Sequence, residues 1–166
     1  DDTTPYTQEN DVLASAAGQV LEMIYLKKIR EDASAAYSAS AGGYASLGGD
    51  KPFTALVGVC PMKPEQADQA LAIMRDEMQK LSAEVDADML GKVKELMLKQ
   101  ADDDARKNGY WVNVLETYTE HGIDLHTNYK NLVNGLTPQK VAAFVKDVIL
   151  EAGNQVEVVM LPDMSE

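Results

Sequence analysis

The feature that most limits what this chain can fold into is a short alternating segment followed by a turn and a second apolar segment. The segment YSASAGGY at 37–44 alternates Tyr or Ala with Ser and then reaches two glycines. Such alternation predicts a β-strand. The turn cluster GGDKP at 48–52 and the apolar run FTALVGVC at 53–60 come next. The two segments are therefore predicted to pair as an antiparallel hairpin, with the second strand buried.

Helical periodicity flanks this hairpin. Asp11 is the predicted N-cap of a long first helix, and Pro61 and Pro64 end the hairpin and open a second helical tract. A third tract follows Asp88, with Asn108 and Gly109 as a break or kink. The predicted apolar stripes contain Leu13, Ala17, Val20 and Ile24; Ala67, Ala70, Leu71, Met74, Met78 and Leu81; Met89, Val93, Leu96 and Met97; and Trp111, Val114, Leu115 and Tyr118.

The last part of the chain predicts a short helix around Tyr129 to Val133, then a further helix and a strand. Thr137 and Pro138 are an N-cap and a first helical residue, and QVEVVML at 155–161 is predicted to close the chain as a strand. Long helices beside a hairpin predict an α+β fold, in which helices cover one face of a mainly antiparallel sheet. Residues 1–166 are expected to form a single domain.

Charge and hydropathy exclude several classes of protein. The formal net charge is 15 − 27 = −12, so nucleic-acid binding, which needs a basic face, is not expected. No apolar run is long enough to span a bilayer, so no membrane insertion is expected. An acidic surface suits a basic peptide or partner, although its simpler role is solubility. The single cysteine, Cys60, is interpreted as a small core residue.

Residue types that usually carry catalysis are sparse. The two histidines, His121 and His126, lie five positions apart in HGIDLH with no Glu between them, and no metal site is predicted. The run Asp102 to Asp104 is followed by Arg106 and Lys107, which favours a solvated charged face. The serines have no Gly-x-Ser-x-Gly setting, and no helix directly follows the glycine pairs.

Arg30 and Tyr37 lie at the predicted junction between the first helix and the first strand. A guanidinium and a phenol on one side of a sheet could bind a peptide carbonyl or stabilise an oxyanion. A simpler interpretation remains open. A cation in the last helical turn complements the helix dipole, and tyrosine is common in strands.

The segment IREDASAAYS resembles the Arg-x6-Tyr element in the C-terminal half of M16 zinc metallopeptidases. This family includes pitrilysin, insulin-degrading enzyme and mitochondrial processing peptidase, and the bacterial PqqL-like zinc proteases look most similar. The long helical segment at 6–31 and LTPQKVAAFVKDVI at 136–149 also resemble family segments, in the same order. One departure is that family members often carry Gly just before the Tyr, where this chain has Ala35 and Ala36.

The resemblance implies a substrate-binding domain that closes a proteolytic chamber, inactive alone, with zinc held by an M16 domain of the same or another chain. Arg30 and Tyr37 would then be catalytic, Arg30 binding a substrate carbonyl and Tyr37 donating to the oxyanion. Substrate-binding roles are expected for Ser38, Ser40, Gly42 and Gly43, with a peptide as the substrate.

Two further expectations follow from the resemblance. The family's first strand is not evident before Asp11, so it is expected to be missing, and PqqL-like proteases suggest a periplasmic location. The alternative is a non-enzymatic binding or assembly module, like the family's respiratory-complex core subunits. In that case Arg30 and Tyr37 would be relics or supports of the fold.

Overall fold

The computed structural model describes residues 4–32, 36, 38–48 and 51–160. Helix α1 continues into a π-helical segment, a 3-10 turn precedes α2, and α6 also ends in a π-helical segment. The elements are α1 Gln8–Tyr25 with Leu26–Asp32, β1 Ser40–Ser46, β2 Phe53–Val59, Pro64–Gln66 with α2 Ala67–Leu81, α3 Ala87–Asp104, α4 Asn108–His121, α5 Tyr129–Asn134, and α6 Pro138–Phe144 with Val145–Leu150.

The predicted hairpin is present as a two-stranded antiparallel sheet of β1 and β2. Its register pairs Ser40 with Val59 at one end and Ser46 with Phe53 at the other. The first strand begins later than its alternation predicts, since Ala36 makes an isolated bridge with Met62 and regular pairing starts at Ser40. Together with the helices, this sheet confirms the α+β class.

Helix α1 is the centre of the hydrophobic core. Its buried positions are not confined to one stripe, because the hairpin and several other helices pack around it. The buried residues of α1 are Val12, Leu13, Ala14, Ala16, Ala17, Gly18, Val20, Leu21 and Tyr25. Four of these nine residues are Ala or Gly, so neighbouring backbones can approach the helix closely at those positions. The core therefore places β1 against α1 at short range.

The predicted N-cap of α1 is wrong. The helix begins four residues earlier than an Asp11 cap implies, and Thr7 is the cap, its hydroxyl accepting a hydrogen bond from the Asn10 N–H at 3.0 Å. Both residue types are good N-caps. Asp11 instead lies within the helix, where its carboxylate accepts from the Ala45 N–H of β1 at 2.9 Å. A tertiary contact thus uses the side chain that local sequence assigns to a cap.

The other helices mostly follow their predicted stripes. Ala67, Ala70 and Leu81 of α2 are buried, and Thr137 caps α6 through a bond from the Lys140 N–H at 3.2 Å. An unpredicted member of the α2 face is Glu77, which is largely buried and paired with Lys80 at 2.7 Å. The rest of the core comes mainly from Val93 and Met97 of α3 and from Val133, Val141, Phe144 and Val145.

Two predictions fail towards the C-terminus. Residues 155–160 form no strand, and Val156, Val158, Val159 and Met160 are exposed; position 161 lies outside the described residues. The apolar side of α4 is also exposed, with Val114 its one buried residue. Both segments have apolar residues at the spacing of their predicted element, but no other described element covers them.

Within the described part of the chain, no helix has the length and apolarity needed to cross a membrane.

Candidate functional site

Arg30 lies in the π-helical segment that extends α1 and has an exposed side chain. In a π-helix the backbone hydrogen bonds join residues five positions apart, whereas in the α-helix that precedes it they join residues four positions apart. Tyr37 lies outside the described residues. The pairing of the guanidinium with the phenol therefore stays a prediction, as do the catalytic roles that depend on it.

Ser38, Ser40 and Gly42 are all exposed, whereas Gly43 faces the opposite side of β1. This follows from the two-residue period of a strand. Nearby, the Cys60 Sγ lies 3.7 Å from the Ser38 carbonyl oxygen, and burial raises the pKa of this half-buried thiol. Cys60 packs against the core rather than within it. Three of the four residues predicted to bind substrate are thus exposed, and Ser40 and Gly42 share one side of β1.

The exposed side of the hairpin carries an apolar surface, here called the outer hairpin face. It is formed by Ser40, Gly42, Tyr44, Phe53, Val57 and Val59. The Tyr44 and Phe53 rings meet edge to face with centroids 5.9 Å apart. In the register, Gly42 is paired with Val57 and Ser40 with Val59. The face therefore runs from an aromatic pair at one end to small residues beside valines at the other.

The sequence interpretation missed three apolar members of this face, Phe53, Val57 and Val59, because β2 was expected to be buried. In the structure its burial alternates, with Phe53, Val57 and Val59 exposed and Thr54 buried. A continuous apolar run is compatible with a strand covered on both faces or on one. Thr54 and Gly58 lie on one face of this strand, and Phe53, Val57 and Val59 lie on the other. This difference between the two faces was the sign available in the sequence.

Gly42 and Gly43 have different surroundings. A Cβ at Gly42 would meet nothing within 4 Å, whereas a Cβ at Gly43 would lie 2.0 Å from the Ala14 carbonyl oxygen. A Cβ at Gly18 of α1 would in turn lie 2.2 Å from the Gly43 backbone nitrogen. The backbones of α1 and β1 therefore cross at a distance that only glycine at both positions permits. Gly43 serves this packing, and only Gly42 adds open space to the outer hairpin face.

Strand β2 is fixed to the helices through Tyr25. The Tyr25 hydroxyl donates to the Met74 carbonyl oxygen at 2.9 Å, joining α1 to α2. A Cβ at Gly58 would lie 2.8 Å from the Tyr25 ring and 2.9 Å from the end of Met74. Burial raises the pKa of Tyr25 strongly, so the phenol remains a neutral donor. The ring and its hydrogen bond hold the inner side of the hairpin in place.

Asp11 holds β1 in the same way. The hydrogen bond from the Ala45 N–H satisfies a strand donor through a side chain of α1 rather than through a neighbouring strand. Burial raises the pKa of Asp11, and the bond from Ala45 partly offsets this effect. Burial and the nearby Asp11 charge also raise the pKa of Tyr6 to about 12. The hairpin is thus positioned by a hydrogen bond from Asp11 at β1 and by packing of the Tyr25 ring against Gly58 at β2.

The two histidines and the aspartate run do not belong to the outer hairpin face. His121 ends α4, and the His126 Nδ1 lies 2.9 Å from the Tyr110 hydroxyl, with both imidazoles exposed. No cluster of three or more His, Cys, Asp or Glu side chains that could hold a metal occurs among the described residues. Asp102 pairs with Lys130 and Asp104 with Lys107, so this run is a charged surface, as predicted.

Chemically, the outer hairpin face offers hydrophobic contact rather than proton transfer. Tyrosine, phenylalanine and valine side chains on a strand surface pack well against an extended apolar segment. Within the described sheet, each strand also has only one neighbour, and unpaired strand edges can add another strand. The face therefore fits an extended polypeptide better than a small polar molecule.

Comparison with known proteins finds structural relatives only. No protein-family model matches, and no curated protein matches. The periplasmic protease PqqL from Escherichia coli matches with a TM-score of 0.71 and 22% identity, over 90% of this chain and 17% of PqqL. The ferredoxin protease FusC, solved as an E83A mutant in complex with Arabidopsis ferredoxin, gives a TM-score of 0.66 and 14% identity, over 87% of this chain and 16% of FusC. The chain shares its fold with a part of each protease that is less than a fifth of its length.

Proposed function

We propose that this chain is a domain of a zinc metallopeptidase of the M16 type that binds peptide substrate and closes the chamber over it. The observation that carries the proposal is the match of 90% of the chain to 17% of a periplasmic protease. A second protease matches over a similar share. A periplasmic location is part of the proposal, because PqqL is periplasmic.

The outer hairpin face is the proposed peptide-contacting surface. Its apolar members would pack against substrate side chains, while Ser38 and Ser40 add exposed hydroxyls beside them. Gly42 leaves room for a second backbone to approach, since no atom lies within 4 Å of where its Cβ would be. Gly43 supports this surface indirectly, by allowing α1 to pack close behind it.

Arg30 and Tyr37 are the proposed catalytic contributions of the chain. The exposed Arg30 guanidinium would donate to a substrate carbonyl, and the Tyr37 phenol would donate to the oxyanion that develops during hydrolysis. Zinc would be held by a partner domain, where it would activate the attacking water. The two histidines of this sequence lack the His-x-x-Glu-His spacing for that task.

The test uses the complete protein in which this sequence occurs. Arg30→Ala and Tyr37→Phe are each expected to lower kcat/KM for peptide hydrolysis by about 10² to 10³, the usual cost of removing one oxyanion donor. Lys27→Ala is the matched control, because Lys27 is an exposed cation on the same π-helical segment. Its kcat/KM is expected to stay within about threefold of the original, the scale of a weak surface charge effect.

Unchanged kcat/KM in both Arg30→Ala and Tyr37→Phe would remove the catalytic role from these residues. Failure of the complete protein, with any zinc-bearing partner present, to cleave peptides would contradict the protease proposal as a whole. In that case the binding or assembly module would be the better description, and peptide binding to the outer hairpin face could still be measured.

A further inference from the structure

Helix α4 carries a second apolar surface, separate from the outer hairpin face. It consists of Trp111, Val112, Leu115 and Tyr118, here called the α4 patch, with exposed fractions of 38%, 53%, 61% and 60%. Trp111, Leu115 and Tyr118 are four and three positions apart, so they lie together on one side of the helix, and Val112, three positions before Leu115, lies at the edge of this side. The patch also borders a shallow cavity of about 210 Å³, whose lining includes Asp124 and Thr127.

This helix has little packing of its own. It spans 14 residues, of which only Val114 is buried. A helix of about 12–15 residues is marginal in water unless an apolar face is packed. Local contacts support the N-terminal half, where the Trp111 Nε1–H donates to the Ala105 carbonyl oxygen at 2.9 Å. Covering the α4 patch would therefore stabilise the helix as well as remove apolar surface from water.

The rim of the patch is acidic. Glu116 lies four residues after Val112 at the edge of the patch, and Glu120 lies four residues further on, turned away from Trp111 and 3.8 Å from the His121 Nε2; both are exposed. Asp124 lines the cavity on the other side. Hydrogen bonds from the Thr127 side chain and from the backbone N–H groups of Thr127 and His126 lower the pKa of Asp124 to about 2. Among described residues, neither Glu116 nor Asp124 forms an ion pair with Lys or Arg.

We propose that the α4 patch is the docking site for a basic amphipathic helix of a protein partner. Trp111 and Tyr118, on either side of the central Leu115, would provide the aromatic anchors, and the carboxylates at the rim would select Lys and Arg on the partner's flanks. A second copy of the chain is disfavoured, because each copy carries a net charge of −12 and presents the same acidic rim. The inference does not depend on the proposed protease role.

Trp111 is the single tryptophan of the sequence, so its fluorescence reports directly on the patch. The probe is a helical peptide of Leu and Lys about 18 residues long, or about five helical turns. Titration into the 166-residue protein is expected to shift Trp111 emission to shorter wavelength as the indole loses water. A peptide with Glu in place of every Lys should bind at least about tenfold more weakly, because like charges meet at the rim.

Two variants locate the binding site. Leu115→Asp is expected to weaken binding by about 10- to 100-fold, the range for a central apolar contact. Leu96→Asp is the matched control, since Leu96 is exposed to 55% on α3 and Leu115 to 61% on α4. The double variant Glu116→Lys with Glu120→Lys should reverse the preference between the two peptides. It changes only exposed charges, so it tests the proposal even where Leu115→Asp loses the helix.

Equal binding of the Lys and Glu peptides would overturn the proposal, as would equal loss in Leu115→Asp and Leu96→Asp in folded proteins. Sedimentation that shows a dimer abolished by Leu115→Asp would identify a second copy as the occupant and would also overturn it. A preference for the Lys peptide that weakens with added salt and reverses in the double variant would confirm the site.

Discussion

The two faces of the β1–β2 hairpin are made from alternate residues of the same strands, yet they obey different constraints. The inner face holds Gly43, Thr54 and Gly58 against α1 and α2 with no spare space at the glycines. The outer hairpin face exposes Tyr44, Val57 and their neighbours. Glycine in this hairpin therefore has two uses: close packing on one side and open access on the other. Four predictions test how sharply the faces differ.

The largest effect is expected at Gly43. Gly43→Val would place a Cβ 2.0 Å from the Ala14 carbonyl oxygen, and neither backbone can move without disturbing the core. The free energy of unfolding should fall by more than about 3 kcal/mol, as for severe core overpacking. Gly42→Val, one residue away, meets nothing within 4 Å and should cost less than about 1 kcal/mol. Urea unfolding measures both, and similar losses would contradict the difference between the faces.

A smaller loss is expected at Tyr25. Tyr25→Phe removes the hydroxyl that donates to the Met74 carbonyl oxygen and leaves that acceptor without this donor. The expected loss in unfolding free energy is about 1–2 kcal/mol, the cost of an unmade buried hydrogen bond. Tyr118→Phe on α4, where the side chain is 60% exposed, is the control and should change it by less than about 0.5 kcal/mol. An unaffected Tyr25→Phe would mean that packing alone joins α1 to α2 at this position.

Asp11 should make stability depend on pH. Burial raises its folded-state pKa above the ordinary value of 3.8, so the folded protein holds this proton more tightly than the unfolded chain. The contribution is fully present below the unfolded pKa and is lost as pH rises through the folded pKa. Asp11→Asn keeps an oxygen that can accept from the Ala45 N–H, so it should remove this pH dependence. Unfolding free energies of both proteins between about pH 4 and pH 7 measure the difference; parallel curves would exclude Asp11.

The smallest change in stability is expected on the outer hairpin face. Val57→Thr keeps the shape and strand preference of an exposed residue, so unfolding free energy should change by less than about 0.5 kcal/mol. If this face contacts peptides, KM for peptide hydrolysis by the complete protein should rise, because apolar contact is lost. A stability loss as large as that of Tyr25→Phe would show that the face is not independent of the core.

The sequence predicted the elements better than their surroundings. The hairpin, the helix opened by Thr137 and Pro138 and the α+β class follow from local turn, cap and periodicity signals. The N-cap of α1 did not, because local preference ranks Asp above Thr as a cap, whereas Asp11 instead accepts a hydrogen bond from Ala45. Glu77 was missed among the buried residues because its pairing with Lys80 is what permits burial.

The sequence did not predict which apolar residues would be exposed. Val57, Leu115 and Val156 each have the spacing of a buried residue in their predicted element, and each is exposed. Periodicity indicates that an apolar face exists, but its cover depends on tertiary neighbours. Ser38, Ser40 and Gly42 are exposed, and their substrate-binding roles stay a prediction. The aromatic end of the outer hairpin face was not predicted, because Tyr44 and Phe53 meet only through the hairpin register.

The crossing of α1 and β1 has a practical consequence for protein engineering. Because Gly18 and Gly43 meet backbone to backbone, randomising either codon in a library would mostly yield unfolded clones, and neither glycine can be replaced to compensate for the other. The positions of Ser40, Gly42, Val57 and Val59 point away from that contact. Diversity confined to these four positions would vary a surface on a rigid support, so the hairpin is a scaffold whose recognition side can be redesigned separately from its fold.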